Sequence, residues 1–257
     1  MAQGQTNPYA FRWVAPAAIV LLTLGGILTV DPISQSLDYH ILADARSWLG
    51  VPNVLNVISN VAFFYVGIVG LKLCMGPDKP VLHATWAAFF LGVTFVCFGS
   101  AYYHWHPENA GLVWDRLPMT VAFMALSAAV VAEHIGEPLS RYLVGPAVTI
   151  GIGTVLWWQH TDDLRLYIWV QATPLMLVPL LFVLYPARYS HRRYLLYALG
   201  LYLVAKSLEL YDRELYRLTS DTVSGHTLKH LLAALSTYLI YRMLRRRARL
   251  ASLPRSH

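Results

Sequence analysis

Three histidines stand at the ends of long apolar stretches, with a serine and an aspartate close by. His226 and His230 are spaced i, i+4 at the start of the last apolar run, and His104 closes an earlier run with Ser100 four residues before it. Asp115 follows at the start of the next run. Residues four apart share a helix face, so His226 and His230 can chelate one ion through their ring nitrogens. Three protein ligands and a position left for water are the usual arrangement of catalytic zinc, and His104 is the candidate third ligand. Asp115 is a candidate general base toward a water polarised by that ion. Ser100 shares the face of His104 and is a candidate partner for the water or for a substrate carbonyl. Each residue has a plainer reading. The histidines can be a hydrogen-bonded pair, Ser100 can bond its own helix backbone, and Asp115 can answer a helix dipole or pair with Arg116. Location favours chemistry, because ionisable groups at membrane depth are expensive and mark functional sites.

The elements that position these residues are expected to be membrane spans. The 257 residues are 56% hydrophobic and only 13% charged, with mean hydropathy +0.46, whereas a soluble domain carries about 25% charge. Eight stretches approach the ~20 residues that cross a bilayer as helix: 13–30, 54–76, 83–104, 116–135, 141–158, 164–185, 194–211 and 226–244. Continuous apolarity, without period-two alternation, selects an all-α bundle over a barrel. The expected organisation is a single integral-membrane domain over 1–257, with an extra N-terminal span at 13–30 and a basic cytoplasmic tail at 245–257. Arg12 before the first run also suits a secretory signal, but the run is long and no Ala-x-Ala-like cleavage spacing follows it.

The net charge of +6 comes from basic loops and the tail residues Arg242, Arg245, Arg246, Arg247, Arg249 and Arg255. It signals a cytoplasmic side and anionic headgroups rather than nucleic acid. With Lys72, Lys79, Arg188, Arg192 and Arg193 also inside, the Ser, Asp and His residues all fall toward the outer face. Cys74 and Cys97 lack CxxC spacing and read as packing thiols. Trp157, Trp158, Tyr185 and Tyr189 suit an interfacial aromatic belt. Asn56, Ser59 and Asn60 suit interhelical hydrogen bonds. Lys206, Glu209 and Asp212 suit buried ion pairing. Pro174 and Pro179 would kink their span and open a gap toward lipid. His106 precedes Pro107 and is expected to begin the loop after His104.

Three segments resemble the signature of the alkaline ceramidase family, in the wider superfamily of membrane hydrolases that includes the adiponectin and progestin receptors. They are Gly99-Ser100-Ala101-Tyr102-Tyr103-His104, Val113-Trp114-Asp115-Arg116-Leu117-Pro118-Met119 and Ser224-Gly225-His226-Thr227-Leu228-Lys229-His230, with Asn56-Val57-Ile58-Ser59-Asn60 on an earlier span. The resemblance implies a seven-helix core over about 38–244 that cleaves the amide of ceramide, or of another N-acyl lipid, inside the bilayer. It implies zinc on His104, His226 and His230, water activation by Asp115, and support of the site or oxyanion by Ser100. The compact size, short loops and Arg-rich tail suit a bacterial-type member. The acidic calcium-binding stretch of eukaryotic members is replaced by Asp38-Tyr39-His40-Ile41-Leu42-Ala43-Asp44-Ala45-Arg46, with Asn53 in place of a later glutamate. Too few carboxylates remain there for calcium regulation to be expected. An alternative within the superfamily is a receptor or scaffold stapled by zinc without turnover. Haem is disfavoured because HxxxH puts both rings on one side of one helix, and a serine protease because Gly99-Ser100-Ala101 lacks a Gly-x-Ser-Gly context. Oligomeric state is not indicated.

Overall fold

The computed structural model describes residues 12–250. Among them the chain is helical, with no strand beyond two isolated bridges. Residues 251–257, the end of the basic tail with Arg255, lie outside the described residues, as do 1–11. All eight apolar stretches form helix. They are α1 (Val14–Leu28), α2 with α3 (Val54–Ile58 and Val61–Met75), α4 (His83–Trp105), α5 (Asn109–Ile135), α6 (Ser140–Thr161), α7 (Arg165–Leu184), α8 (Arg193–Leu210) and α10 (Gly225–Arg246), with the short α9 (Asp212–Leu218) between the last two.

Five helical segments, Val54–Met75, His83–Trp105, Asn109–Ile135, Glu137–Thr161 and Arg165–Leu184, are long and apolar enough to cross a membrane. The chain is therefore a multi-pass membrane protein. Helices α8 and α10 have 18 and 22 residues, but Arg193, Lys206 and Glu209, and His226, Lys229 and His230, dilute their hydropathy. The least apolar long helices are thus the ones that carry ionisable groups inward. Helix α1 has 15 residues, roughly 22 Å of helix against ~30 Å of hydrocarbon. It packs on α7, where Trp169 Nε1 donates to Val20 O at 3.3 Å and to Thr23 Oγ1 at 3.2 Å.

Several expectations from sequence need correction. The second stretch is broken at Ser59–Asn60, which separates α2 from α3. Helix α5 starts at Asn109, seven residues early, so Asp115 sits well inside the helix, where the N-terminal dipole has faded. The segment 212–225 holds α9. The aromatic belt fails for Trp158, Tyr185 and Tyr189, which are buried, while Trp157 is exposed. Trp158 lies under the Arg116 guanidinium, Tyr189 donates to Glu137 and Tyr185 packs edge-on against His134. Helix α4 ends at Trp105, with His106 extended, as the following proline requires. Cys74 and Cys97 are free and buried.

The core joins α3, α4, α5, α7 and α10 through residues such as Phe63, Phe90, Val130, Leu181 and Met243. At two places glycine lets backbones touch. A Cβ on Gly99 would lie 2.0 Å from Trp114 O, so α4 rides directly on α5 beside Ser100 and Asp115. A Cβ on Gly225 would lie 2.1 Å from Leu208 O, so the start of α10 meets the end of α8. Any side chain at either position would push the helices apart.

Candidate metal centre and cavity

His104 comes from the last turn of α4, and His226 and His230 from the first two turns of α10. Ser224 caps α10, accepting from Thr227 N at 3.1 Å. Asp212 accepts from His226 N at 2.7 Å and from Ala43 N at 3.1 Å, tying the helix start to the segment between α1 and α2. Asn56 accepts from Thr227 Oγ1 at 2.9 Å. Asn53 Nδ2 donates to His104 O at 2.8 Å and holds the end of α4 against the same corner.

This scaffold brings the three imidazoles into one buried cluster. Nε2 of His104 lies 3.1 Å from Nε2 of His226 and 3.3 Å from Nε2 of His230. All three residues are at most 4% exposed. The three rings can hold one metal ion. A tetrahedral ion with bonds of 2.0–2.1 Å separates nitrogen ligands by roughly 3.3–3.4 Å, close to these spacings. Three neutral imidazole nitrogens also lack the protons to satisfy one another on every edge, whereas an ion satisfies all three lone pairs. The donor set therefore fits zinc.

The outer nitrogens of two rings have partners. Ser59 Oγ is 2.8 Å from His230 Nδ1, and Glu209 Oε1 is 3.8 Å from His226 Nδ1. His104 Nδ1 has no partner among the described residues. Glu209 is the hub of the charged cluster: it pairs with Lys206, accepts from Lys229 Nζ at 2.7 Å and from Tyr39 OH at 3.0 Å. Burial, followed by the charge of Glu209, pushes the Tyr39 phenol well up, so it stays a donor. Lys229 Nζ also reaches His226 Nε2 at 2.9 Å. With an ion on that nitrogen, Lys229 would keep only Glu209.

Ser100 and Asp115 flank the close approach of α4 to α5 at Gly99. Both line a cavity of about 250 Å³ that His230 also faces, while His104 and His226 lie behind its wall. The cavity is otherwise mostly apolar. It runs along α10 from His230 to Ile240, roughly 15 Å of helix. Its far wall comes from α7 and α8, with Pro174 and Val178 opposite Leu195 and Ala198.

Sequence reasoning gave Asn56, Ser59 and Glu209 structural roles. They do make interhelical bonds and ion pairs, but their partners are the site histidines or the residues beside them. The signal available was polar residues clustered on two otherwise apolar spans. In the segment between α1 and α2, Asp44 is buried and gripped by Arg46 at 2.8 and 2.7 Å, and Arg46 also donates to Thr222 O at 2.6 Å. A guanidinium already occupies the only buried carboxylate of that stretch, so these residues do not fit calcium.

A polytopic helical bundle with a buried three-histidine cluster beside an apolar cavity defines the class. The family model named Ceramidase matches residues 50–248, and the chain belongs to that family. The match begins later than the core expected from about residue 38, so the segment before Gly50 lies outside it. A search of curated proteins found no match to the chain.

Proposed function

We propose that the protein is a zinc-dependent intramembrane amidase that cleaves ceramide or a related N-acyl lipid to an amine-bearing lipid and a fatty acid. One observation carries this reading: three convergent imidazoles, with His230 on the wall, stand beside a mostly apolar cavity that Ser100 and Asp115 also line. His104, His226 and His230 would hold the zinc, which would supply Lewis acidity to the amide carbonyl and to water. Asp115 takes the proton of the attacking water at its carboxylate and returns it to the leaving nitrogen. Ser100, which lines the same cavity as Asp115, donates to the oxyanion. The apolar cavity holds an acyl chain and keeps bulk water from the reacting bond. The family supports a lipid substrate and membrane embedding. By the distribution of Lys and Arg, we place the site toward the outer face and the tail in the cytoplasm of a bacterial inner membrane.

The test is made on purified full-length protein. It should carry about one zinc per chain and release fatty acid from an N-acyl lipid. Asp115→Asn should abolish release while zinc stays bound. Zinc-loaded protein that frees no fatty acid from any N-acyl lipid would remove the enzyme and leave a zinc-stapled receptor or scaffold.

A further inference from the structure

The cavity holds more positive charge than its residues can neutralise. Its charged lining is Arg116, Lys206 and Lys229 against Asp115 and Glu209. Glu209 is shared by both lysines, and Asp115 forms no ion pair among the described residues. Arg116 is therefore left without an ion pair among the described residues.

Arg116 is 6% exposed and lies inside a membrane helix. Its guanidinium is stacked 4.0 Å from the Trp158 ring centre and 4.7 Å from that of Tyr167, and Nη2 donates to Gln35 Oε1 at 2.5 Å. Stacking and one amide fix its plane. They leave Nη1 buried with no hydrogen-bond partner. Tyr202 OH, also on the cavity wall, is a second buried group with no partner. Buried polar groups are nearly always paired, so two orphans on one cavity wall point to a ligand that completes them. A guanidinium edge is matched best by a carboxylate or phosphate, which it binds through charge-assisted hydrogen bonds.

We propose that Arg116 recognises an anionic group, carboxylate or phosphate, on the amine half of the lipid, close to the amide nitrogen. Arg116 and Asp115 line the same cavity, so the partner of Arg116 on the substrate sits near the bond at which Asp115 acts as base. The neutral, hydroxylated head of a ceramide would leave the guanidinium edge unanswered; the amide of an amino acid, or of a phosphorylated amino alcohol, would fill it. This inference rests on the amidase reading for the identity of the reacting bond, but the anion site itself does not depend on turnover.

The experiment compares N-hexadecanoylglycine, N-hexadecanoylethanolamine and N-hexadecanoyl-O-phosphoethanolamine, which share one acyl chain and differ in the head. Zinc-loaded wild type should favour an anionic amide over the neutral one in kcat/KM by roughly ten- to hundredfold, the value of one charge-assisted pairing. The two anionic amides show whether the group is carboxylate or phosphate. Arg116→Gln should collapse that preference through KM, and Arg116→Lys should keep part of it. Equal rates for charged and neutral heads in the wild type, or equal losses on all three amides in R116Q, would overturn the proposal. If no amide is cleaved, binding of the same three lipids, read as a shift in thermal midpoint, separates the two readings. Selective binding of an anionic lipid that R116Q abolishes keeps the anion site and removes the amidase; unselective binding, or none, removes the site.

Discussion

At the scale of single residues, the site depends on which second atom each imidazole touches. A ligand histidine is aimed by the bond its other nitrogen makes. For His230 that bond comes from Ser59, at the break between α2 and α3, where the chain turns a hydroxyl toward α10. Ser59→Ala deletes the bond without disturbing the apolar packing around it. The expected result is a roughly 10- to 100-fold loss of zinc affinity, the usual consequence of removing such a partner, read by competition with a chelator. Fatty-acid release should recover when zinc is supplied in excess. Unchanged zinc affinity in Ser59→Ala would mean that packing alone, including the edge-on contact with Phe63, orients His230. His226 differs, because its Nδ1 faces Glu209 at 3.8 Å and that carboxylate also answers two lysines.

At the scale of elements, the segments between helices work as straps. Arg165 joins α7 to the end of α1 through Leu28 O and Val30 O, and Asp163 holds Arg165 while accepting from Ile33 N at 3.5 Å. The Arg165 hydrogen bonds hold the Asp163 carboxyl at about 2, below its ordinary 3.8. A depressed carboxylate stabilises the fold above its ordinary value and loses that contribution as pH falls toward the folded value. The gap in thermal midpoint between wild type and Asp163→Asn should therefore be constant above pH 4 and close between about 4 and about 2. Identical midpoints at neutral pH would show that the strap contributes nothing. How far such elements can be foreseen depends on the signal. The long helices are legible, because continuous apolar runs in hydrocarbon admit little else. The histidine cluster is legible from the HxxxH spacing and the matching position of His104. The break at Ser59–Asn60 is not, since polar residues at a bend look the same in sequence as polar residues bonding between straight helices. Nor is the burial of Trp158, which depends on Arg116 arriving from α5, or the fact that Glu209 stands behind His226.

At the scale of the whole molecule, α10 ties both ends of the bundle together. From His226 to Arg247 is roughly 31 Å of helix, close to the thickness of bilayer hydrocarbon. The histidines lie at one end and a second buried cluster at the other. There Arg247 pairs with Glu133, whose side chains are only 4% and 6% exposed, and Trp86 Nε1 donates to the same carboxylate at 3.2 Å. Arg247 also donates to Val81 O at 3.0 Å, and the chain after it pairs with the α7–α8 connection through Ser190 N to Ala248 O and Leu250 N to Arg188 O. The lock thus joins the α3–α4 connection, α5, the α7–α8 connection and the tail. Arg247→Met leaves Glu133 buried without a counter-charge, which typically costs 3–5 kcal/mol. The double variant Glu133→Gln with Arg247→Met leaves no bare charge, and should recover most of that loss, because a buried pair and a neutral replacement are often equal in stability. Unfolding in mixed micelles measures the cycle, with zinc content as the second readout. Zinc should stay bound in the folded fraction of both variants, since the histidines are held from the opposite end. If Arg247→Met is as stable as wild type, the far end of the bundle is closed by apolar packing alone; if zinc is lost in proportion to stability, the two ends fold as one cooperative unit and the cavity between them cannot be tuned from either side independently.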